Sequence, residues 1–265
     1  MDTIAKTPNY TILGRLFGTE LKQQKTAVSA TKVYPLGTQL IDDVGNRYRY
    51  AKTGASSVYT SRGAWAYNYQ ISGHIAVPTT SAIGARVIYG TIGASDGIAA
   101  DGVVALNYLE DGYVCVWHSA TSISVYRILS NTAVAGGGGT IALTIDEPLQ
   151  LAVTTSVETI EIMASQYIDI RTGNSGGNHA FVGQWKGEVV TATPYGWLLE
   201  DGITFIDPQA AVGTSLNQQL VFRHDGSVDV QDDSDAYAQH MQHAGHVVSY
   251  LAAGTQAAPF MRLKI

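Results

Sequence analysis

Five small residues, Gly173-Asn174-Ser175-Gly176-Gly177, are the first in this 265-residue sequence whose types and spacing could do chemistry. A serine in such a loop can act as an acyl-transfer nucleophile, because surrounding backbone N–H groups stabilise the oxyanion that forms. The reaction also needs a histidine base and an orienting aspartate, and chain order nominates His74 with Asp101 or Asp111. A second constellation is His240, His243 and His246, at three-residue spacing, with Asp232, Asp233 and Asp235 just before. On a helix, His240 and His243 would share a face and could hold a metal ion. The same acidic stretch begins at Asp225 and has the oxygen chemistry that attracts Ca²⁺. Gly136 to Gly139 has the small residues of a phosphate-cradling loop.

Each pattern has a plainer reading, and the surrounding residues favour it. The serine loop matches that of chymotrypsin-like serine proteases, a remote alternative for this chain. However, His74 sits in Ser72-Gly73-His74-Ile75-Ala76 rather than after two alanines, and Asn178-His179-Ala180-Phe181 is not the apolar strand that should follow. With 28 glycines in the chain, a match of five small residues arises easily by chance, so a surface turn is expected. The histidines have no HExxH pattern and no cysteine pair beside them, which leaves a solvated polar loop. The acidic stretch lacks the EF-hand spacing and its closing glutamate, and Gly136 to Gly139 lacks the following Lys-Ser/Thr. The expectation is no catalytic, cofactor-binding or metal-binding residue, and no enzyme.

The elements around these residues read as strands. Tyr108 to Thr155 is the expected core: Asp111-Gly112 lies between apolar runs, Val103 to Leu109 and Tyr113 to Trp117, which is a hairpin signal. Ile123 to Leu129, Thr140 to Ile145 and Leu149 to Thr155 follow as β-rich runs. In Arg47-Tyr48-Arg49-Tyr50 the alternation is strict, so the tyrosines share one face and the arginines the other, after a turn at Asp42 to Asn46. That gives a hairpin with a cationic outer face. Later runs at Glu158 to Ile162, Pro194 to Leu199, Ile203 to Ile206, Leu220 to Val230 around Asp225-Gly226, and Pro259 to Ile265 have the same character. Only Gln231 to His243 is compatible with a helix. The fold class expected is all-β, with antiparallel sandwich- or barrel-like sheets and long loops. An extended N-terminal arm would cover 1–30, a main β domain 31–185, and a C-terminal β region 186–265 packed on it or continuous with it.

Composition narrows the function classes. Charged residues make up 14% and the net charge is −6, which argues against a nucleic-acid binder with its basic stripe. The 15 tyrosines and the low charge resemble an assembly surface, where charges are depleted and aromatics enriched. The single cysteine, Cys115, excludes a disulfide within the chain and is expected as a buried thiol. The start, Met1-Asp2-Thr3-Ile4-Ala5-Lys6, lacks the features of a signal peptide, and no apolar window is long enough for a membrane helix. A soluble protein made in a cytoplasm, with no membrane partner and no cofactor, is the expectation.

Several runs together carry a family resemblance. They are Leu36-Gly37-Thr38 with Asp43 to Gly54; Asp111 to Val114 with Tyr126-Arg127-Ile128; Leu143 to Ser156; Tyr195 to Leu198 with Asp201-Gly202; and the closing His246 to Leu251 and Met261 to Ile265. From about Leu16 onward the chain resembles virion structural proteins of tailed bacteriophages, of the kind common in marine viral genomes. The resemblance implies a non-enzymatic particle protein, a capsid decoration (cement) protein on the outside of the shell. Its partners would be the major capsid protein and further copies of itself, with a trimer suiting the local three-fold positions of a shell. The alternative is a receptor- or glycan-binding module on the virion, which would need exposed aromatic platforms among Trp65, Trp117, Trp185 and Trp197.

Overall fold

The computed structural model describes residues 10–12, 15–17, 24–54, 58–67, 70–97, 99–119, 121–173, 180–188, 193–208, 212, 218–231, 241–248 and 260–265. Among them the chain is all-β, with eighteen strands and no helix. It forms two compact units, Met1–Tyr67 with Tyr167–Ile265, and Asn68–Gln166. The first unit opens with β1 (Tyr10–Ile12), β2 (Arg15–Phe17), β3 (Gln39–Ile41), β4 (Arg47–Lys52) and β5 (Gly63–Ala66). The second holds β6 (Gln70–Ala76), β7 (Val87–Ile92), β8 (Tyr113–Ser119), β9 (Ser122–Asn131), β10 (Gly139–Ile145) and β11 (Thr159–Met163). The chain then returns to the first with β12 (Ile170–Arg171), β13 (Phe181–Trp185), β14 (Tyr195–Phe205), β15 (Gln219–Phe222), β16 (Val228–Val230), β17 (His243–Val247) and β18 (Phe260–Lys264). The first unit runs through position 185/186 without a break. β13 and β14 lie on either side of it and are hydrogen-bonded neighbours, with Gln184 opposite Leu199 and Trp185 opposite Leu198.

In the second unit the strand order is β6-β11-β8-β9-β10-β7. Every pairing is antiparallel, and the end strands β6 and β7 approach one another, so the sheet curls into a nearly closed barrel. The alternation in the sequence explains the interior. Val114, Val116, Tyr126, Ile128, Ile141, Leu143, Ile145, Ile160 and Ile162 all point in and are buried, and each buried aliphatic contributes about 1.5–3 kcal/mol. Gly90 lets β7 come close to the opposite wall, since a Cβ there would lie 2.8 Å from Ile160 Cδ1 and 2.9 Å from Ile75 Cδ1.

The segment before β8 is not the hairpin arm that Asp111-Gly112 suggested. Residues 105–111 form turns, and Asp111, at φ 69°, leads straight into the ladder with β9. The reason is a side chain from elsewhere. Asn131, buried at the end of β9, accepts the Leu109 N–H at 2.8 Å and donates to the Ala105 carbonyl at 2.9 Å. The turn's backbone is satisfied without a strand partner, and Leu109 becomes a buried plug. Leu149 to Thr155, expected as β-rich, contributes only an isolated bridge from Val153 to Ser81.

In the first unit β14 is the strand that joins the others. Its early residues pair with β4, Trp197 opposite Tyr50, and its later ones with β18, Ile203 opposite Arg262. Beyond β18 the order continues β17-β15-β16, and beyond β4 it continues β3-β2-β1, which makes a half-barrel. Glu200-Asp201-Gly202 looks like a turn in sequence but is a bulge inside this one strand. Its carboxylates face arginines on the neighbouring strands, Glu200 with Arg49 at 3.2 Å and Asp201 with Arg47 at 3.2 Å and Arg262 at 3.0 Å. The cationic face expected on β4 is accordingly neutralised from within the sheet.

Of residues 1–30, expected as an extended arm, 10–12, 15–17 and 24–30 are described, and the last of these include a turn closed by the Ala27 N–H on the Gln24 carbonyl. β1 and β2 pair with each other, and β2 adds in parallel to β3. Ser29 exchanges both backbone hydrogen bonds with Tyr195, at 2.9 and 2.8 Å. Lys25 donates to Asp42 at 2.9 Å. Asp42 also accepts from the Val44 and Asn46 N–H groups, the Asn46 side-chain amide and the Tyr48 hydroxyl, so it organises the whole β3–β4 turn. Burial alone would raise the Asp42 carboxyl, but the Lys25 ammonium and Asn46 donors outweigh it and hold it below the ordinary carboxylate range. A depressed carboxylate stabilises the fold above its unfolded pKa of about 3.9 and loses that contribution as pH falls through the lower folded value. Between about pH 5 and pH 2 the Tm of the parent should fall more steeply than that of Asp42→Asn, measured by thermal melts across that range.

Candidate interaction face

The strand register of the barrel unit puts an apolar field on its outside. Tyr113 lies opposite Arg127, Cys115 opposite Val125 and Trp117 opposite Ile123. On the other side of β8, Met163 faces Tyr113, Glu161 faces Cys115 and Thr159 faces Trp117. Residues directly opposite in an antiparallel pair point to the same face, so these nine side chains form one three-column field. Tyr113 is 48% exposed, Ile123 47%, Val125 59% and Leu129, next on the same side of β9, 43%. Arg127 and Glu161 are the only charged groups in the field, and Arg127 is engaged with the carboxylate of Asp111 at its edge. Burial, and then Glu161, pushes the Cys115 thiol up, so it remains a neutral, unreactive S–H. An apolar sheet face of this kind can bind by excluding water, but it holds no group poised for acid–base or nucleophilic work.

Most of the residues nominated for chemistry are engaged elsewhere or lie outside the described residues, and His246 is exposed on the outer side of β17. Ser175, with the rest of 174–179, lies outside the described residues, as do His240, Asp232, Asp233 and Asp235. His74, at φ 49°, turns its ring onto Trp117, centroids 5.0 Å apart. Asp101 accepts the Val103 N–H, and Asp111 holds Arg127. Asp225 takes Arg62 at 2.7 Å and both the Ser227 N–H and hydroxyl, which ties the β15–β16 turn to the start of β5. Burial would raise its carboxyl, and these donors bring it below the usual range. Among the described residues no three His, Cys, Asp or Glu side chains converge as metal ligands. Gly136 to Gly139 lies at the start of β10, in the turn that leads into it. Trp65, Trp185 and Trp197 are buried and present no platform for a sugar.

One constellation escaped the sequence reading. At one end of the barrel Ser124 Oγ lies 3.3 Å from His118 Nε2, and His118 Nδ1 lies 3.9 Å from Glu158 Oε1. This is the order nucleophile, base, acid of acyl transfer. The last distance is too long for a hydrogen bond, and the other Glu158 oxygen already accepts the Thr154 N–H at 2.6 Å. The network fastens the β8–β9 end to the turn before β11. Only its backbone-distant spacing hid it, since His118, Ser124 and Glu158 come from three separate elements. The apolar field did leave a trace: Tyr113-Val114-Cys115-Val116-Trp117 is apolar on both faces, which a strand with one solvated side has no need to be.

The chain matches no protein-family model, no curated protein and no solved structure.

Proposed function

We propose that this chain is a non-enzymatic virion structural protein of a tailed bacteriophage, a decoration protein that stabilises the shell by bridging neighbouring capsomers from outside. The observation that carries the reading is the exposed field of Tyr113, Ile123, Val125 and Leu129 on a barrel otherwise closed around its own core. Such a surface costs solubility in a free chain and is used when a partner covers it. The sequence resemblance supplies the particle and names the partner class, the major capsid protein together with further copies of this chain. The mechanism is mechanical: apolar and tyrosine surface buried only in the assembled shell adds contacts that the unassembled subunits lack.

Val125→Glu tests the reading. The side chain points to solvent, so far-ultraviolet circular dichroism and Tm should stay near the parent values. Binding to shells lacking the protein should weaken by about tenfold or more, since a charge would then be buried without a partner. Cosedimentation with such shells reads the effect, and electron cryomicroscopy of decorated particles locates the density. Unchanged cosedimentation, or density on a tail or fibre, would overturn the proposal.

A further inference from the structure

Among the described residues, the outer face of the first unit's C-terminal strands carries more cationic and histidine side chains than carboxylates to pair with them. Across the sheet Arg47 lies opposite Asp201, Ile203 opposite Arg262, Arg262 opposite His246 and His246 opposite Gln219, while Lys264 lies opposite Asp201. These side chains therefore share one face. His243 and His246 are three residues apart, which on a regular strand would place them on opposite sides. A bulge opposite Leu220 and Val221 restores them to the same side. Gly245 makes the bulge possible, at φ 131° and so close to β18 that a Cβ would lie 1.9 Å from the Arg262 carbonyl oxygen. His243 Nε2 then reaches Gln219 Oε1 at 2.8 Å.

Arg47 and Arg262 divide one carboxylate, Asp201, between them. The flanking pairs, Arg49 with Glu200 and Arg223 with Asp229, are self-contained. Lys264, His243 and His246 have no carboxylate within ion-pair distance among the described residues, and all three are exposed. The repulsion registers on His243, whose pKa is lowered first by burial and then by His246 and Lys264. Like charges held together against their own repulsion, in a chain of net charge −6, mark a surface shaped for something other than stability.

We propose that the outer face of β14, β18, β17 and β15 docks an acidic protein surface, and that the contact tightens on acidification. Ile203, 50% exposed, lies directly opposite Arg262, and the Gln219 amide ends the same cross-strand row beyond His246. That mixture of apolar, amide and cationic groups fits an acidic polypeptide, whose side-chain methylenes and peptide groups can meet Ile203 and Gln219 while its carboxylates meet the cations. A carboxylate placed against His243, beside His246 and Lys264, favours the charged imidazole, so docking takes up a proton and strengthens on acidification. The inference is independent of the particle reading, because its probe is not a shell.

The test uses the 265-residue chain and poly-L-glutamate as probe, with binding read by fluorescence anisotropy. Affinity should be about tenfold higher at about pH 5.5 than at about pH 7.5 and should fall with added salt. Lys264→Glu combined with His246→Gln should weaken it by about tenfold or more at the lower pH, with circular dichroism unchanged. Arg86→Glu, an exposed cation on the other unit, should leave it as in the parent. Absence of binding, a double variant that binds like the parent, or affinity that does not change with pH would overturn the proposal. Heparin binding through the same residues without polyglutamate binding would also overturn it, in favour of an anionic polysaccharide.

Discussion

Replacing Trp197 by alanine should lower the stability of the first unit by about 3–5 kcal/mol, the usual consequence of truncating a large buried aromatic. The indole is fully buried on β14, directly opposite Tyr50 on β4. Its ring centroid lies 5.0 Å from that of Tyr50 and 5.3 Å from that of Tyr34, and the two tyrosines meet edge-on at 5.3 Å. The three rings hold each other in place, so removing the middle one leaves a cavity that rigid neighbours cannot refill. Tyr50 is itself locked. Its hydroxyl accepts the Val33 N–H at 3.2 Å, and burial pushes its pKa up to about 12. Since a domain is stable by only about 5–15 kcal/mol, the loss is a large share of the total. Urea denaturation reads it as a lower midpoint at nearly constant slope. Trp197→Phe, which keeps most of the volume, should recover more than half of the loss. A shift below about 1 kcal/mol for the alanine variant would mean that the ring cluster is not the centre of this core.

Asn131→Leu should destabilise the barrel unit by about 2–4 kcal/mol despite being nearly isosteric and more apolar. The parent side chain, 3% exposed, makes three hydrogen bonds to backbone: it accepts from Leu109 N–H and donates to the carbonyls of Ala105 and Thr132. Leucine would leave those groups with no partner in a site that water enters poorly, and the desolvation penalty of each then stands uncompensated. The effect has a local signature that general destabilisation would not reproduce. Hydrogen exchange at the Leu109 amide should accelerate well beyond that of amides in β10, because the turn opens on its own. Equal acceleration across the barrel would show that Asn131 serves the whole core and not this turn.

Much of the strand inventory was legible from local pattern. Arg47 to Tyr50 alternate as read, with both tyrosines buried and both arginines half-exposed. Asp225-Gly226 caps the β15–β16 hairpin, with Gly226 at φ 82°. Asp111-Gly112 and Asp201-Gly202 carry the same dipeptide signal and are not hairpin tips. At the first, the Asn131 amide supplies the hydrogen bonds a second strand would have made. At the second, arginines from β4 and β18 draw both carboxylates to one side of a continuing strand. Dipeptide chemistry states that the chain can bend, and distant side chains decide whether it reverses.

The sequence by itself determined an all-β chain, because period-two alternation and frequent turn residues leave no run long enough to bury a helical stripe. It also determined which tyrosines of β4 go inward and that Cys115 is a strand thiol. Those properties depend only on neighbours one to four residues away. The tertiary structure alone decided that the stretch 68–166 closes on itself as a barrel and that residues 1–67 and 167–265 form one unit together. It decided too that Tyr113, Val125 and Ile123 gather into one exposed field, and that a single bulge turns His243 and His246 to the same side as Lys264. Register across strands sets all three. Register is fixed by pairings between residues far apart in the chain, and a shift of one residue would send every side chain to the opposite face.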